Sequence, residues 1–174
     1  YFSQKYLTDT ISVTRIDGSP NRLPEGVNKV FDQQYWTIEK YGPGTYEARH
    51  IFTTAEKLTH QESLNPDMLK LYYRESNSSG EWTYLASAIS VDMENQQVTF
   101  PGYDMPGQFI LCTETNYFEG GYINYDTIWS GNVAVNGDVM IDGGVSLTID
   151  PGTWIEFLGF YHIDCRGDIQ AVGT

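Results

Sequence analysis

The chain has 174 residues and a formal net charge of −13, because 23 acidic residues outnumber 10 basic ones. Nucleic acids and anionic membranes attract clusters of Lys and Arg, so this balance argues against both as partners. No stretch contains the roughly 18 consecutive apolar residues of a membrane-spanning helix, and membrane insertion is not expected.

Residues 1–117 are predicted to form a β-sandwich. The aromatic fraction of 14% and the 17 glycines favour strands and turns, and predict an all-β protein. Strands with one buried face are indicated by alternating apolar residues, as in Trp36/Ile38 and Phe109/Leu111. Seven candidate strands cover residues 7–16, 34–40, 46–53, 68–75, 81–89, 97–100 and 108–115. Turn signals separate these strands, including one at 77–80, and the spacing is typical of a two-sheet sandwich of immunoglobulin-like size. Residues 54–67 are predicted to form a long loop with one helical turn.

Four aromatic residues of this region, Trp36, Tyr73, Trp82 and Tyr84, are open to two interpretations. Their alternating positions in strands predict packing in the core. The alternative is a platform on which sugar rings stack.

A second aromatic group lies in a predicted junction at residues 118–125 and at its borders. The group consists of Tyr117, Phe118, Tyr122 and Tyr125, with Gly120-Gly121 between them. We expect these rings to cover the first edge of the next domain. The alternative is that they bind a ligand, in particular a carbohydrate.

Residues 126–174 are predicted to form about two coils of a right-handed parallel β-helix. Glycines recur every six to eight residues, and between them stand apolar pairs at i and i+2. The pairs are Val133/Val135, Val139/Ile141, Leu147/Ile149, Ile155/Phe157, Ile163/Cys165 and Ile169/Ala171. Three short strands per coil place each of the first three pairs beneath one of the last three, so every inward position has an apolar partner. An antiparallel meander with Asn-Gly turns is the alternative.

The same segment resembles a known group of proteins. Trp129, residues 133–141, the L-T-I-x-P-G-T segment within 147–157 and residues 167–174 look like the first coils of β-helix domains in large bacterial secreted and cell-surface proteins. Residues 35–38, 69–75, 80–85, 95–100 and 107–111 are similar to sandwich modules of those proteins. The resemblance implies an extracellular or cell-surface location and a structural or adhesive role, and it supplies no catalytic residue.

The residues themselves indicate no enzyme active site. His50, His60 and His162 lack metal-ligand spacing, and no serine or cysteine has an identifiable base partner. Polysaccharide lyases and hydrolases also use β-helices, but residues 122–174 contain a single basic residue, Arg166. We therefore expect no catalytic residue, no cofactor and a non-catalytic module. One alternative is an ancillary region of a carbohydrate-active enzyme, and another is a carbohydrate-binding sandwich with a polysaccharide partner.

Calcium is the one ion that the sequence suggests. Four aspartates cluster near predicted turns, where carbonyl oxygens are also available: Asp138, Asp142, Asp150 and Asp168. No loop has EF-hand spacing, and we expect these aspartates to cap the turns, with a bound calcium ion as the alternative.

Two further expectations concern the ends of the predicted domains. Cys112 and Cys165 are placed in different domains, so both are predicted to be unbridged, small buried hydrophobes. Ile169 and Ala171 form the upper layer of the predicted coils, which would leave Leu147, Ile155 and Ile163 thinly covered. An open layer with unpaired edges favours protein–protein contacts. We expect further coils of the chain, or a neighbouring subunit placed head to tail in a filament, to cover it.

Overall fold

The computed structural model describes residues 2–4, 9–76 and 80–173. The protein is nearly all β, with about 51% of residues in strands and 5% in helices. The chain divides into two compact units, unit 1 (Tyr1–Glu114) and unit 2 (Thr115–Thr174). Residues 7 and 8 of the first predicted strand, the predicted turn residues 77–79 and Thr174 lie outside the described residues.

Unit 1 consists of two antiparallel sheets. Its strands are β1 (Phe2–Gln4), β2 (Thr10–Asp17), β3 (Lys29–Val30), β4 (Gln34–Tyr41), β5 (Glu47–Thr53), β6 (Leu69–Arg74), β7 (Thr83–Ser87), β8 (Ser90–Asp92), β9 (Gln97–Gly102) and β10 (Gly107–Thr113). One sheet has the order β1-β5-β9-β8. The other has the order β2-β4-β10-β6-β7, and β3 pairs with β10. All seven strands expected from the sequence are present, while β1, β3 and β8 are additional.

The apolar faces of the two sheets share one core. Trp36 of β4 and Phe52 of β5 come from different sheets, and their ring centroids lie 4.5 Å apart. Phe100 of β9 and Phe109 of β10 belong to the same core and are fully buried. Interdigitation of two inner faces is what a period-2 apolar pattern requires.

The six-stranded sheet also buries part of its second face. Tyr35, Trp82 and Ile110 form a smaller cluster there, with Leu23 and Val30 packed against it. The Trp82 indole N–H donates to the Arg22 carbonyl at 2.7 Å, which ties the segment before β3 to this face. As a result, β10 is buried on both sides. This explains why its residues from Phe109 to Cys112 are all apolar instead of alternating with polar ones.

The loop after β5 contains the expected helical turn, α1 (His60–Leu64). Thr59 and Glu62 form a capping box, in which the Thr59 N–H donates to the Glu62 carboxylate at 2.8 Å and the Glu62 N–H donates to the Thr59 hydroxyl at 3.1 Å. The Thr113 hydroxyl of β10 donates to the same carboxylate at 2.6 Å. Glu62 is fully buried, so this carboxylate has a structural role in holding the loop on the sheet.

The strands of unit 2, over its described residues, are short and pair in parallel. They are β11 (Asn116–Phe118), β12 (Gly121–Ile123), β13 (Thr127–Trp129), β14 (Asn132–Val135), β15 (Val139–Ile141), β16 (Ser146–Ile149), β17 (Trp154–Phe157), β18 (Ile163–Cys165) and β19 (Asp168–Ala171). Each of the first six strands pairs with the strand three elements later, so the nine strands form three sheets, β11-β14-β17, β12-β15-β18 and β13-β16-β19. We call each set of three successive strands a coil.

The predicted register is confirmed for the six apolar pairs. Val133 lies beside Ile155, Val139 beside Ile163, and Leu147 beside Ile169. The parallel pairing begins before residue 126, because β11 and β12 pair with β14 and β15. Three coils are therefore present instead of two. The sequence pattern does not reveal this earlier start, because three inward positions of the first coil are not occupied by large apolar residues. These positions are Asn116, Gly121 and Thr127.

The turns of unit 2 use glycine in two ways. Gly152 has φ +78°, and the Thr153 N–H donates to the Asp150 carbonyl at 3.2 Å, as expected for a type II turn at Pro151-Gly152. Gly137 does not have a positive φ. A Cβ at Gly137 would instead lie 2.5 Å from the Glu119 carbonyl oxygen, so glycine is required by the close approach of two coils.

Candidate interaction surface

The last coil of unit 2 presents a layer of apolar side chains to solvent. We call this set the terminal layer, and it consists of Ile155, Phe157, Ile163, Cys165, Ile169 and Ala171. Phe157 is 39% exposed and Ile169 is 42% exposed. Each side chain lies in register with an inward-facing residue of the middle coil, so the terminal layer is the upper face of the same apolar interior.

The difference between the two layers comes from what covers them. Leu147 and Ile169 are register partners, but Leu147 is 0% exposed whereas Ile169 is 42% exposed. The expectation that Leu147 is thinly covered is therefore wrong, since the last coil buries it. Ile155 and Ile163 are half-buried, in line with the expectation. None of the described residues forms a further strand on the outer edges of β17, β18 and β19.

Cys165 belongs to the terminal layer, and the expectation that it is buried is wrong. Its position is inward by register, since it pairs with the buried Ile141, but its side chain is exposed. Cys112 of unit 1 is fully buried as expected, and burial raises the pKa of its thiol to about 12. Both cysteines are free, which agrees with the prediction that no disulfide joins them.

The four aromatic residues of the first coil do not form one group. Phe118 packs against the interior of unit 2, with its ring centroid 5.6 Å from that of Trp129. Tyr122 is 61% exposed and lies beside Met140 in the outward register of β12. Tyr125 is 71% exposed and follows β12. Tyr117 is half-buried and pairs with Ala134.

The aromatic residues of unit 1 are mostly in the core, as expected. Trp36 and Trp82 are 5% and 7% exposed, and Tyr73 packs partly against the main core. The prediction of core packing is wrong for Tyr84, which is 54% exposed. Its ring meets that of Tyr72 edge to face, with the ring centroids 6.1 Å apart.

Among the four turn aspartates of unit 2, Asp138 has a protein partner for its carboxylate, and Asp150 accepts through its main chain. Asp138 accepts from the backbone N–H of His162 at 3.1 Å and also lies 2.9 Å from its Nδ1. Thr153 donates its hydroxyl to the main-chain carbonyl of Asp150 at 2.7 Å. Across the described part of the chain, no group of three or more His, Cys, Asp or Glu side chains has the arrangement of a metal site.

Cavities of unit 1 offer a second kind of surface. One cavity is about 710 Å³ and is lined in part by Tyr41, Tyr73 and Asp104. Another, of about 430 Å³, contains His50 together with residues of β2, β4 and β5. His50 is 5% exposed, and burial lowers the pKa of its imidazole to about 4. His60 is exposed in α1 and His162 is tied to Asp138, so the three histidines occupy three separate environments.

Comparisons of the chain with models of protein families, with curated proteins and with solved structures find no match. Within the described ranges, no helix is long and apolar enough to cross a membrane.

Proposed function

We propose that this chain is a non-catalytic structural and adhesive module of an extracellular or cell-surface protein, of the kind that bacteria secrete. In this proposal unit 1 is an immunoglobulin-like sandwich and unit 2 is a right-handed parallel β-helix. Support for the second assignment comes from the three-sheet strand order, because strand-to-parallel-strand connections are almost always right-handed. The resemblance of both segments to modules of secreted bacterial proteins agrees with it.

The terminal layer is the observation that carries the proposal. It combines exposed apolar side chains, such as Ile169 and Phe157, with three strands whose outer edges lack a partner among the described residues. Covering it removes apolar area from water, at about 25 cal/mol per Å², and pairs backbone groups at the same time. A further layer of strands meets both needs. We infer that a neighbouring subunit supplies this layer, so that the modules join end to end.

Sedimentation of the full chain over a range of concentrations tests this proposal. The expected result is concentration-dependent association that Ile169→Asp weakens at least tenfold, because the substitution buries an unpaired carboxylate in the contact. Ile128→Asp is the matched control, since Ile128 is 66% exposed and points outward in the register of β13. A wild-type chain that remains a stable monomer, with a well-ordered and solvent-exposed last coil, would contradict the proposal.

The absence of catalysis belongs to the same proposal. The buried candidates for chemistry have structural surroundings: Glu62 holds a helix cap, and the buried thiol of Cys112 has a pKa of about 12, so it is not a thiolate at neutral pH. We expect no turnover of pectin, alginate, chondroitin or simple esters. Robust turnover that a single substitution abolishes would overturn this part.

Carbohydrate binding is a second candidate, favoured by the exposed rings of Tyr122 and Tyr125. Exposed tyrosines offer flat apolar faces for sugar rings together with a polar tip. The test is a titration with soluble neutral polysaccharides, in which Tyr122→Ala and Tyr125→Ala should each reduce binding. Tyr84→Ala is the control, because Tyr84 is also exposed but belongs to unit 1. Equal binding by all three variants would count against this candidate.

A further inference from the structure

The six-stranded sheet of unit 1 has a gap at one end of β10. This strand lies between β4 and β6 in the strand order. Its first residue, Gly107, pairs with Ile38, so residues 39–41 of β4 extend past its start. On the other side β6 ends at Arg74, and residues 75–76 follow. Neighbouring strands lie about 4.8 Å apart, so these two segments are separated by about the width of one missing strand.

The backbone of Lys40 points into this gap. The Gly18 N–H donates to the Gln33 carbonyl at 2.7 Å, which fixes the alternation of the ladder between β2 and β4. Glu39 and Tyr41 therefore direct their N–H and C=O groups toward β2, and Lys40 directs its own toward the side where β10 is missing. A ligand in the gap consequently meets one main-chain donor and one main-chain acceptor.

A cavity of about 710 Å³ lies at the gap, and we call it the gap cavity. It is lined by residues 37–41 of β4, by residues 73–76 at the end of β6 and by residues 104–108, which lead into β10. All three segments belong to unit 1, so the cavity is contained within one compact unit. Its volume is within the range of about 300–1,000 Å³ that small-molecule sites have.

Two tyrosine rings line the gap cavity, and a hydrogen bond orients each of them. Tyr41 is 58% exposed, and its hydroxyl donates to the Glu39 carboxylate at 2.7 Å. The Tyr73 hydroxyl donates to the Pro106 carbonyl at 3.0 Å. A Cβ at Gly107 would lie 2.5 Å from the Tyr73 ring, so glycine at this position leaves room for the ring. Rings that are oriented before a ligand arrives lower the entropic cost of binding it.

The charges around the gap cavity select against anions. Glu39, Glu75 and Asp104 line it, and Lys40 is the one basic residue among the described residues that line it. The Lys40 ammonium lies 3.6 Å from the Asp104 carboxylate, so its charge is already balanced. The other two carboxylates accept hydrogen bonds from hydroxyl groups and repel negative charge. A neutral ligand rich in hydroxyl groups therefore matches the cavity, and an acidic one does not.

We propose that the gap cavity binds a neutral oligosaccharide. The exposed Tyr41 ring covers the apolar C–H side of one sugar ring, as the flat face of an aromatic side chain allows. Hydroxyl groups of the sugar donate to the Glu39 and Glu75 carboxylates. The Lys40 backbone supplies a donor and an acceptor to further hydroxyl groups. A few placed polar groups beside an apolar surface are what fixes the orientation of a small ligand.

The test uses the full chain, labelled with nitrogen-15, and soluble oligosaccharides of glucose, of galactose and of mannose. With at least one of them we expect saturable chemical-shift changes at residues 37–41, 73–76 and 104–108. The matched oligosaccharide of the corresponding uronic acid has the same ring and an added carboxylate. It should bind at least tenfold more weakly, because the carboxylates of the cavity repel it.

Variants of the exposed cavity residues identify the groups that bind. Tyr41→Ala should weaken binding of the neutral oligosaccharide at least tenfold, whereas Tyr41→Phe keeps the ring and should retain most of the affinity. Tyr84→Ala is the matched control, because Tyr84 is 54% exposed in the same unit and does not line the gap cavity. The double variant Glu39→Lys with Glu75→Lys provides a second measurement. It should bind the uronic acid oligosaccharide at least tenfold more tightly than the wild type does.

The proposal is overturned by either of two outcomes. One is the absence of saturable shifts at residues 37–41 with all three neutral oligosaccharides at millimolar concentration. The other is binding that Tyr41→Ala and Tyr84→Ala affect equally, since the sugar then lies outside the gap cavity. Shifts confined to unit 2, with binding lost in Tyr122→Ala or Tyr125→Ala, would overturn this proposal and support the carbohydrate candidate of that unit. The terminal layer also belongs to unit 2, so its proposal stands or falls separately.

Discussion

The guanidinium carbon of Arg74 lies 4.3 Å from the centre of the Trp82 ring. Arg74 is 3% exposed, and its Nε donates to the Gln108 side-chain oxygen at 2.7 Å. The contact is on the second face of the six-stranded sheet, where Trp82 is held by its hydrogen bond to the Arg22 carbonyl. A buried cation that stacks on an indole and donates to an amide is favourable, and removal of one partner leaves the others unsatisfied.

Arg74→Met is therefore expected to destabilise unit 1 by about 1–3 kcal/mol, because Gln108 loses a charged donor and Trp82 loses its stacked partner. Arg74→Lys should recover part of the loss, since an ammonium keeps the charge but not the flat stacking surface. Urea unfolding of the full chain, followed by Trp fluorescence, measures the free energy of unfolding of both variants and of the wild type. Equal stabilities for the three proteins would contradict the assigned role.

Stability should also depend on pH through His50. The imidazole pKa is about 4 in the folded chain, because of burial, against 6.5 for an ordinary histidine. Between these values the unfolded chain binds the proton more readily, so stability falls as the pH is lowered from 6.5 to 4, by up to about 3 kcal/mol. His50→Phe should lose this component of the pH dependence. His60→Gln, at an exposed site, should retain it, and identical pH profiles for His50→Phe and wild type would refute the prediction.

Gly137 provides a test of how closely the first two coils approach. Gly137→Ala is expected to destabilise unit 2 by about 1–3 kcal/mol, because its Cβ would meet the Glu119 carbonyl oxygen at 2.5 Å. Gly143→Ala is the control, since its nearest atom, the Arg166 carbonyl oxygen, lies 3.8 Å away. Hydrogen exchange of the amides in β11, β12 and β15 reports the effect. The amides of these strands should exchange faster in Gly137→Ala than in Gly143→Ala, and equal rates would contradict the prediction.

The two thiols should differ in reactivity. Cys165 is exposed, whereas Cys112 is 0% exposed with a pKa of about 12, so iodoacetamide should modify Cys165 alone in the native chain. Modification of Cys112 should require unfolding. Mass spectrometry before and after adding denaturant measures this, and Cys165→Ser should remove native labelling altogether. Rapid native labelling of Cys112 would show that β10 is less buried than described.

Much of the strand pattern could be predicted from the sequence because each strand buries one face. In unit 2 the apolar residues at i and i+2, with short glycine turns between them, leave few alternative registers, and the pairs from Val133 to Ala171 follow the expected one. Alternation alone does not say what covers a strand. Cys165 has the pattern of a buried residue, yet no described side chain lies over it.

The features that the sequence did not predict depend on distant segments. Trp82 packs on the outer face of a sheet because Leu23 and Val30 are brought there by the segment before β3. Val13 has the alternation of a core residue, but the opposite sheet does not reach it. The only early sign of the second face is the unbroken apolar run from Phe109 to Cys112, which indicates burial on both sides.

The strand order has a consequence for how the chain is made. In unit 1, β4 lies beside β10, which is among the last segments of the unit to be synthesised, so the sheet cannot close until almost all of unit 1 has been translated. Such non-local pairing slows folding. In unit 2 every strand pairs with one only three elements away, so each coil is able to dock on its predecessor soon after it is synthesised. Unit 1 must form in one late step, whereas unit 2 lengthens coil by coil as translation proceeds.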